Sequence, residues 1–164
     1  MYQFSEGDLA NDNFRASLNT ALENGFFSTD KGMIQRSPNF YCVMDGNTCG
    51  RGAHPAFPSR VPFDAAFAAR FFFIEFEYDW NLARSLVEAV NKDALPLIEW
   101  AKKASVWAIA NQIPVVISPR EILTLAELRL TSSMPIDSLF DGVMRGLDPI
   151  SKEKLLSNHV LPAF

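Results

Sequence analysis

Two runs of consecutive apolar residues, Phe40 to Met44 and Phe71 to Ile74, constrain this chain more than any other feature. The first ends at Asp45-Gly46, and between the two lie a Gly- and Arg-containing loop and a short helix. Unbroken apolar strands joined by a crossover belong to a sheet covered on both faces. The pattern therefore predicts neighbouring buried strands in a mostly parallel sheet, and an α/β fold. In such sheets ligands gather outside the carboxyl ends of the strands, which makes Asn47, just past the first run, a candidate site residue. Arg70, at the end of the short helix, is a second candidate. It holds a guanidinium at the sheet edge while Phe71 is buried, an arrangement suited to reaching a phosphate on another subunit.

Upstream, Tyr2 to Phe4 reads as the end of a strand. A helix follows, capped by Asn11 or Asp12, with Phe14, Leu18, Ala21 and Leu22 at helical spacing and Asn24-Gly25 as its stop. Phe26 to Thr29 and Met33 to Arg36, around Asp30-Lys31-Gly32, predict a β-hairpin with a three-residue loop. Beyond the second apolar run, whose far half alternates Ile74, Phe76 and Tyr78 with Glu75 and Glu77, the period changes from strand to helix and stays there. Leu82, Leu86, Val87 and Val90 form one helical stripe. Leu97, Trp100, Ala101, Ala104, Trp107 and Ala108 form a second, with Glu99 and Lys103 as an outward ion pair. Ser118-Pro119 opens a third helix through Leu123, Leu125, Leu128 and Leu130, with Arg120 in its first turn. Shorter helices are predicted from about Ile136 to Arg145 and from Ser151 to Ser157, before a frayed end at Leu161 to Phe164. A boundary near Trp80 divides an α/β portion, residues 1–79, from an α-helical subdomain, residues 80–164.

A chain of 164 residues, 48% of them hydrophobic, can bury a proper core. With 15 Lys+Arg against 19 Asp+Glu it has no general basic field for nucleic acid, so that class of partner is not expected. Cys42 and Cys49 form no CxxC or zinc-type cluster, which fits a reducing, intracellular setting. His54 and His159 have no companions at metal-ligand or triad spacing, and no chemistry is assigned to them. No apolar run reaches the roughly 18–20 residues of a membrane span, and the first residues lack the basic and apolar regions of a signal peptide. A soluble, cytoplasmic protein without a membrane partner is expected.

Each candidate also has an ordinary reading. Asn47 follows Asp45-Gly46 and fits a tight turn. Arg70 fits an intrachain ion pair, with Asp64 as the nearest carboxylate in sequence. Arg51 and Arg60 fit solvated loop arginines as well as interface or phosphate contacts. Arg120 is unfavourable beside the positive end of its helix dipole, which points towards an anionic partner.

Taken together, Gly46-Asn47-Thr48-Cys49-Gly50-Arg51-Gly52-Ala53, Asp64-Ala65-Ala66-Phe67-Ala68-Ala69-Arg70-Phe71 and Ile117-Ser118-Pro119-Arg120 resemble segments of the AAA+ ATPases. The likeness is to the MoxR and dynein-related group that includes the CobS-type subunit of cobaltochelatase. The helix Leu18-Asn19-Thr20-Ala21-Leu22-Glu23-Asn24-Gly25 is also similar to one that follows the acidic Walker B motif in that family, which places Glu6 on the water-activating glutamate. The resemblance implies part of a three-layer P-loop NTPase core with a parallel sheet, followed by an α-helical lid. It assigns sensor 1 to Asn47, the arginine finger to Arg70 and sensor 2 to Arg120, and it implies ATP, magnesium and a homo- or hetero-oligomeric ring.

Two departures limit it. Ser5 stands where the family carries its magnesium-holding aspartate, and no glycine is followed by lysine, so the GxxxxGK[ST] loop is absent. Ala69 replaces a frequent aspartate, and Arg60 is flanked by Ser59 and Val61 where relatives often show glycine and asparagine. The likeness is to the second half of a module, expected to be inactive alone, whose P-loop half lies on another polypeptide or outside this sequence. The assembled ring would couple ATP hydrolysis to protein remodelling or metal insertion. The alternative is a non-hydrolysing, truncated relative that acts as a binding or regulatory module. Lacking the first strands of the sheet, the chain is expected to expose apolar surface and to associate with something.

Overall fold

In the computed structural model, which describes residues 1–144 and 146–163, strand β1 (Tyr2–Phe4) lies parallel to β4 (Cys42–Met44). The register sets Tyr2 opposite Cys42 and Phe4 opposite Met44. This two-stranded sheet belongs to a mixed α/β chain that is about half helical. The chain divides into two units, Met1–Glu75 and the remainder from Phe76.

In the first unit, α1 (Asp12–Asn24) starts where the Asn11 side chain accepts from the Phe14 amide at 2.9 Å. It ends at Gly25, whose φ of 78° is the left-handed conformation that glycine adopts without a Cβ penalty. The helix buries Leu18, Ala21 and, unexpectedly, Arg15. A hairpin of β2 (Phe26–Thr29) and β3 (Gly32–Gln35) follows. Thr29 pairs with Gly32, so the loop is Asp30-Lys31, one residue shorter than predicted. The short helix α2 (Ala65–Ala68) is capped by Asp64, which accepts from the Phe67 amide at 2.8 Å. Phe67 is fully buried against the rings of Phe63 and Phe71.

Two sequence expectations fail here for one reason. The run from Phe40 gives a strand only over Cys42–Met44, with Val43 exposed, and the run from Phe71 to Ile74 gives no strand. Phe72 is 89% exposed and Ile74 63%. A strand exists only where a neighbour supplies partners for its amides and carbonyls, and among the described residues none pairs with this segment. The apolar pattern was legible; the burial it implies depends on a neighbouring strand, and none pairs with it among the described residues.

The second unit is a helical cluster: α3 (Trp80–Val90), α4 (Pro96–Ala110), α5 (Pro119–Thr131), α6 (Ile136–Val143) and α7 (Pro149–Asn158). The predicted end of α6 at Arg145, and the last residue of the frayed end, Phe164, lie outside the described residues. Ala83 and Val87 of α3 are buried, whereas Leu82 and Leu86 of the predicted stripe are about half exposed. Small residues let α3 approach α5 closely, so the apolar face with the smaller side chains turns inward. Glu99 pairs with Lys102 at 3.3 Å and with Arg84 at 3.5 Å rather than with Lys103.

The start of α5 follows the sequence closely. Ser118 accepts from the Arg120 amide at 3.3 Å, Glu121 reaches back to the Ser118 amide at 2.9 Å, and Pro119 occupies the first turn. Ser118→Ala is expected to lower the stability of this unit by about 1 kcal/mol, read as a lower midpoint in urea unfolding. An unchanged midpoint would mean that the capping box adds nothing.

Candidate functional site

Three segments of the first unit converge beyond the carboxyl ends of β1 and β4: residues 5–8, 45–48 and 57–61. The backbone runs from β1 into a single turn of 3-10 helix, Gly7–Leu9, through Glu6 in the left-handed conformation at φ 56°. A side chain at Gly7 is impossible without rearrangement, since a Cβ there would come within 2.0 Å of the Met44 sulfur. Glycine thus lets the chain after β1 pass directly against β4. The Glu6 amide donates to Asp45 Oδ1 at 2.9 Å and the Gly7 amide to the Asp45 carbonyl at 2.8 Å.

Asp8 sits at the centre, with no exposed surface. Its Oδ2 accepts from the Asn47 amide at 2.9 Å, the Thr48 amide at 3.1 Å and the Thr48 hydroxyl at 3.0 Å. Its Oδ1 faces Arg60 Nη1 at 3.4 Å. The same Nη1 donates to Glu6 Oε2 at 3.2 Å, so one buried guanidinium joins two carboxylates. Arg60 also lies over the Phe57 ring at 5.7 Å, and the Asp8 carbonyl accepts from the Val61 amide at 3.1 Å. Arg15 secures the next residues of the loop, donating to the carbonyls of Pro62 at 3.1 Å and Val61 at 3.3 Å with its guanidinium over Phe63.

The expected residues fall as follows. Glu6 and Asn47 stand at the ends of paired parallel strands, and both side chains are largely exposed. Arg70 belongs to the same unit but is held by Glu23 of α1 and by the Ala66 carbonyl. The expected partner Asp64 is committed to capping α2 instead. Arg51 is exposed, whereas Arg60 is buried rather than solvated. Arg120 is on α5 of the second unit, exposed, in no ion pair among the described residues. In its surroundings, burial pushes the Tyr78 hydroxyl up and the Glu121 charge pushes it the same way, while a hydrogen bond with Ser118 and the Arg120 charge pull it partly back. His54 Nδ1 accepts from the Ala56 amide in a local turn, and His159 stacks edge-on against Trp107. On β4, burial raises the Cys42 thiol, which keeps it protonated and poorly nucleophilic near neutral pH.

Asp8 and Arg15 escaped the sequence reading. The one local hint for Asp8 is a carboxylate two residues past a strand-end glutamate, beside a glycine. Its importance comes from amides 39 and 40 positions away.

A shallow, open depression of about 560 Å³ lies beside Ser5 and Glu6, lined also by Phe4, Leu9, Ala10 and Phe14. Among the described residues no cluster of three or more His, Cys, Asp or Glu side chains is arranged to hold a metal ion. With serine at position 5 and Glu6 engaged by Arg60, the donors of this chain do not by themselves fit a magnesium ion. No helix among the described residues is long and apolar enough to cross a membrane. Neither a family model nor a curated protein matches this chain.

Proposed function

We propose that the chain is the carboxyl-terminal portion of an AAA+ module of the MoxR and CobS type, supplying Asn47, Arg70 and Arg120 to a ring. A partner chain brings the phosphate-binding loop, and the ring couples ATP hydrolysis to protein remodelling or metal insertion. The observation that carries this reading is the parallel pairing of β1 with β4, which sets Glu6 and Asn47 beyond the carboxyl ends of two adjacent strands. Ligands of α/β sheets bind at that edge. The unpaired, exposed Phe72 and Ile74 support the need for a partner, because apolar surface of this kind marks association sites.

The chemistry left to this chain is electrostatic. Hydrolysis of a γ-phosphate needs an oriented water and donors that meet the charge developing on the phosphoryl oxygens. Asn47 presents a neutral amide to the water or the phosphate, Glu6 a carboxylate that accepts the proton of the water, and Arg70 and Arg120 two guanidiniums. No step is assigned to a metal held by this chain.

A second reading, the non-hydrolysing module, is favoured by two ion pairs. Glu6 is tied to Arg60 and Arg70 to Glu23, so both reactive groups already have partners within the chain. The experiment that separates the readings measures ATP binding and turnover by the purified chain, alone and with candidate partners carrying GxxxxGK[ST]. Silence alone and turnover well above the partner's own rate in the mixture are expected. A mixture no faster than the partner by itself overturns the ATPase reading and leaves an interaction module.

A further inference from the structure

We propose that Asp8 is a positioning residue for Asn47, and that Arg60 extends the same arrangement to Glu6. This inference deepens the ATPase reading and rests on it for its catalytic meaning, though not for its geometry. The turn after β4 has no regular secondary structure to fix it. Beyond Asp45, which accepts from the Glu6 and Gly7 amides, the turn is held by one buried carboxylate oxygen that accepts from two successive amides and a hydroxyl, all within 3.1 Å. Two adjacent amides converging on one oxygen determine the direction in which the Asn47 side chain leaves the backbone. Hydrogen bonds to an ionised acceptor are roughly twice as strong as neutral ones, and burial removes the water that would otherwise compete.

The other oxygen of Asp8 faces Arg60, whose Nη1 also holds Glu6. Arg60 is nine-tenths buried and is carried on the 57–61 loop, whose Val61 amide donates to the Asp8 carbonyl. The two groups assigned to the attacking water, Glu6 and Asn47, are therefore referenced to a single carboxylate. A displacement of Asp8 changes both.

The test is amide hydrogen exchange of the full chain, followed residue by residue, in Asp8→Ala, Asp8→Asn and wild type. Asp8→Ala is expected to speed exchange of the Asn47 and Thr48 amides by about ten- to a hundredfold, with the α1 amides of Arg15 and Leu18 unchanged. Asp8→Asn keeps an oxygen acceptor without the charge and is expected to give a smaller increase at the same two amides. Thr48→Val removes only the hydroxyl donor and leaves the carboxylate with its two amides, and a local increase at Thr48 is expected. Uniform acceleration across the first unit in Asp8→Asn, or no change at Asn47 and Thr48, overturns the proposal. In the mixture with a P-loop partner, Asp8→Asn is expected to lower kcat at least tenfold with KM within twofold. If the wild-type mixture does not hydrolyse ATP, the ATPase reading fails while the exchange result still decides the geometry.

Discussion

Replacing Arg70 with alanine is expected to lower the turnover of a hydrolysing mixture by about 10³- to 10⁵-fold, with little change in KM. The size follows from when the guanidinium acts. A charge that meets the phosphoryl oxygens only as their negative charge grows lowers the barrier without tightening the ground state, and that range corresponds to roughly 4–7 kcal/mol of barrier. The same guanidinium is engaged by Glu23 and the Ala66 carbonyl, so on the proposed reading it leaves them to reach a neighbouring subunit. Glu23 is well exposed, and exposed ion pairs contribute only about 0–1 kcal/mol. Releasing Arg70 therefore costs far less than the transition state returns, and Glu23→Gln is expected to shift the rate by less than about fivefold. Arg70→Lys keeps the charge but loses the planar fork, and recovers little of the rate. Steady-state hydrolysis at saturating partner settles the matter. Turnover by Arg70→Ala within a few-fold of wild type would assign the residue to the surface pair alone.

What could be read from the sequence divides along the range of the interactions involved. The start of α5 was legible because Ser118, Pro119 and Glu121 satisfy one another within four residues. The same holds for Asn11 and Gly25 at the two ends of α1. The segment Phe71–Ile74 failed because apolar β-type composition states only what a strand would contribute; whether it becomes one depends on backbone partners elsewhere. The ion-pair partner of Arg70 and the part played by Asp8 were not legible for a similar reason. The partner of Arg70 lies 47 positions away, and the charge of Asp8 is answered by Arg60 from a distant loop. Asn47 was singled out by its place just past a predicted strand and Glu6 by the resemblance alone, and the structure adds that both follow paired parallel strands. That arrangement was not derivable from the Tyr2–Phe4 or the Cys42–Met44 segment alone, since register is set by pairing.

Phe140→Ala is expected to destabilise the second unit by about 3–5 kcal/mol, the largest stability effect foreseen for this chain. The ring is 1% exposed and meets Trp100 edge-on at a centroid distance of 5.6 Å, while the Trp100 indole donates to the His159 carbonyl at 2.9 Å. Truncation opens a cavity beside an aromatic already fixed by a hydrogen bond, so the walls have little freedom to collapse. A domain of this size is stable by only about 5–15 kcal/mol, and the loss is a large share of it. All three tryptophans, Trp80, Trp100 and Trp107, lie in this unit, so intrinsic fluorescence during urea unfolding reports its stability directly. Leu86→Ala, on the half-exposed face of α3, serves as the comparison and is expected to cost about 1 kcal/mol or less. Equal shifts for the two variants would mean that Phe140 is not the centre of this core. A selective loss would carry a functional consequence: α6 packs on α5, and α5 carries Arg120, so weakening this contact should reduce turnover in the mixture while leaving the exchange of the Asn47 amide in the first unit as it was.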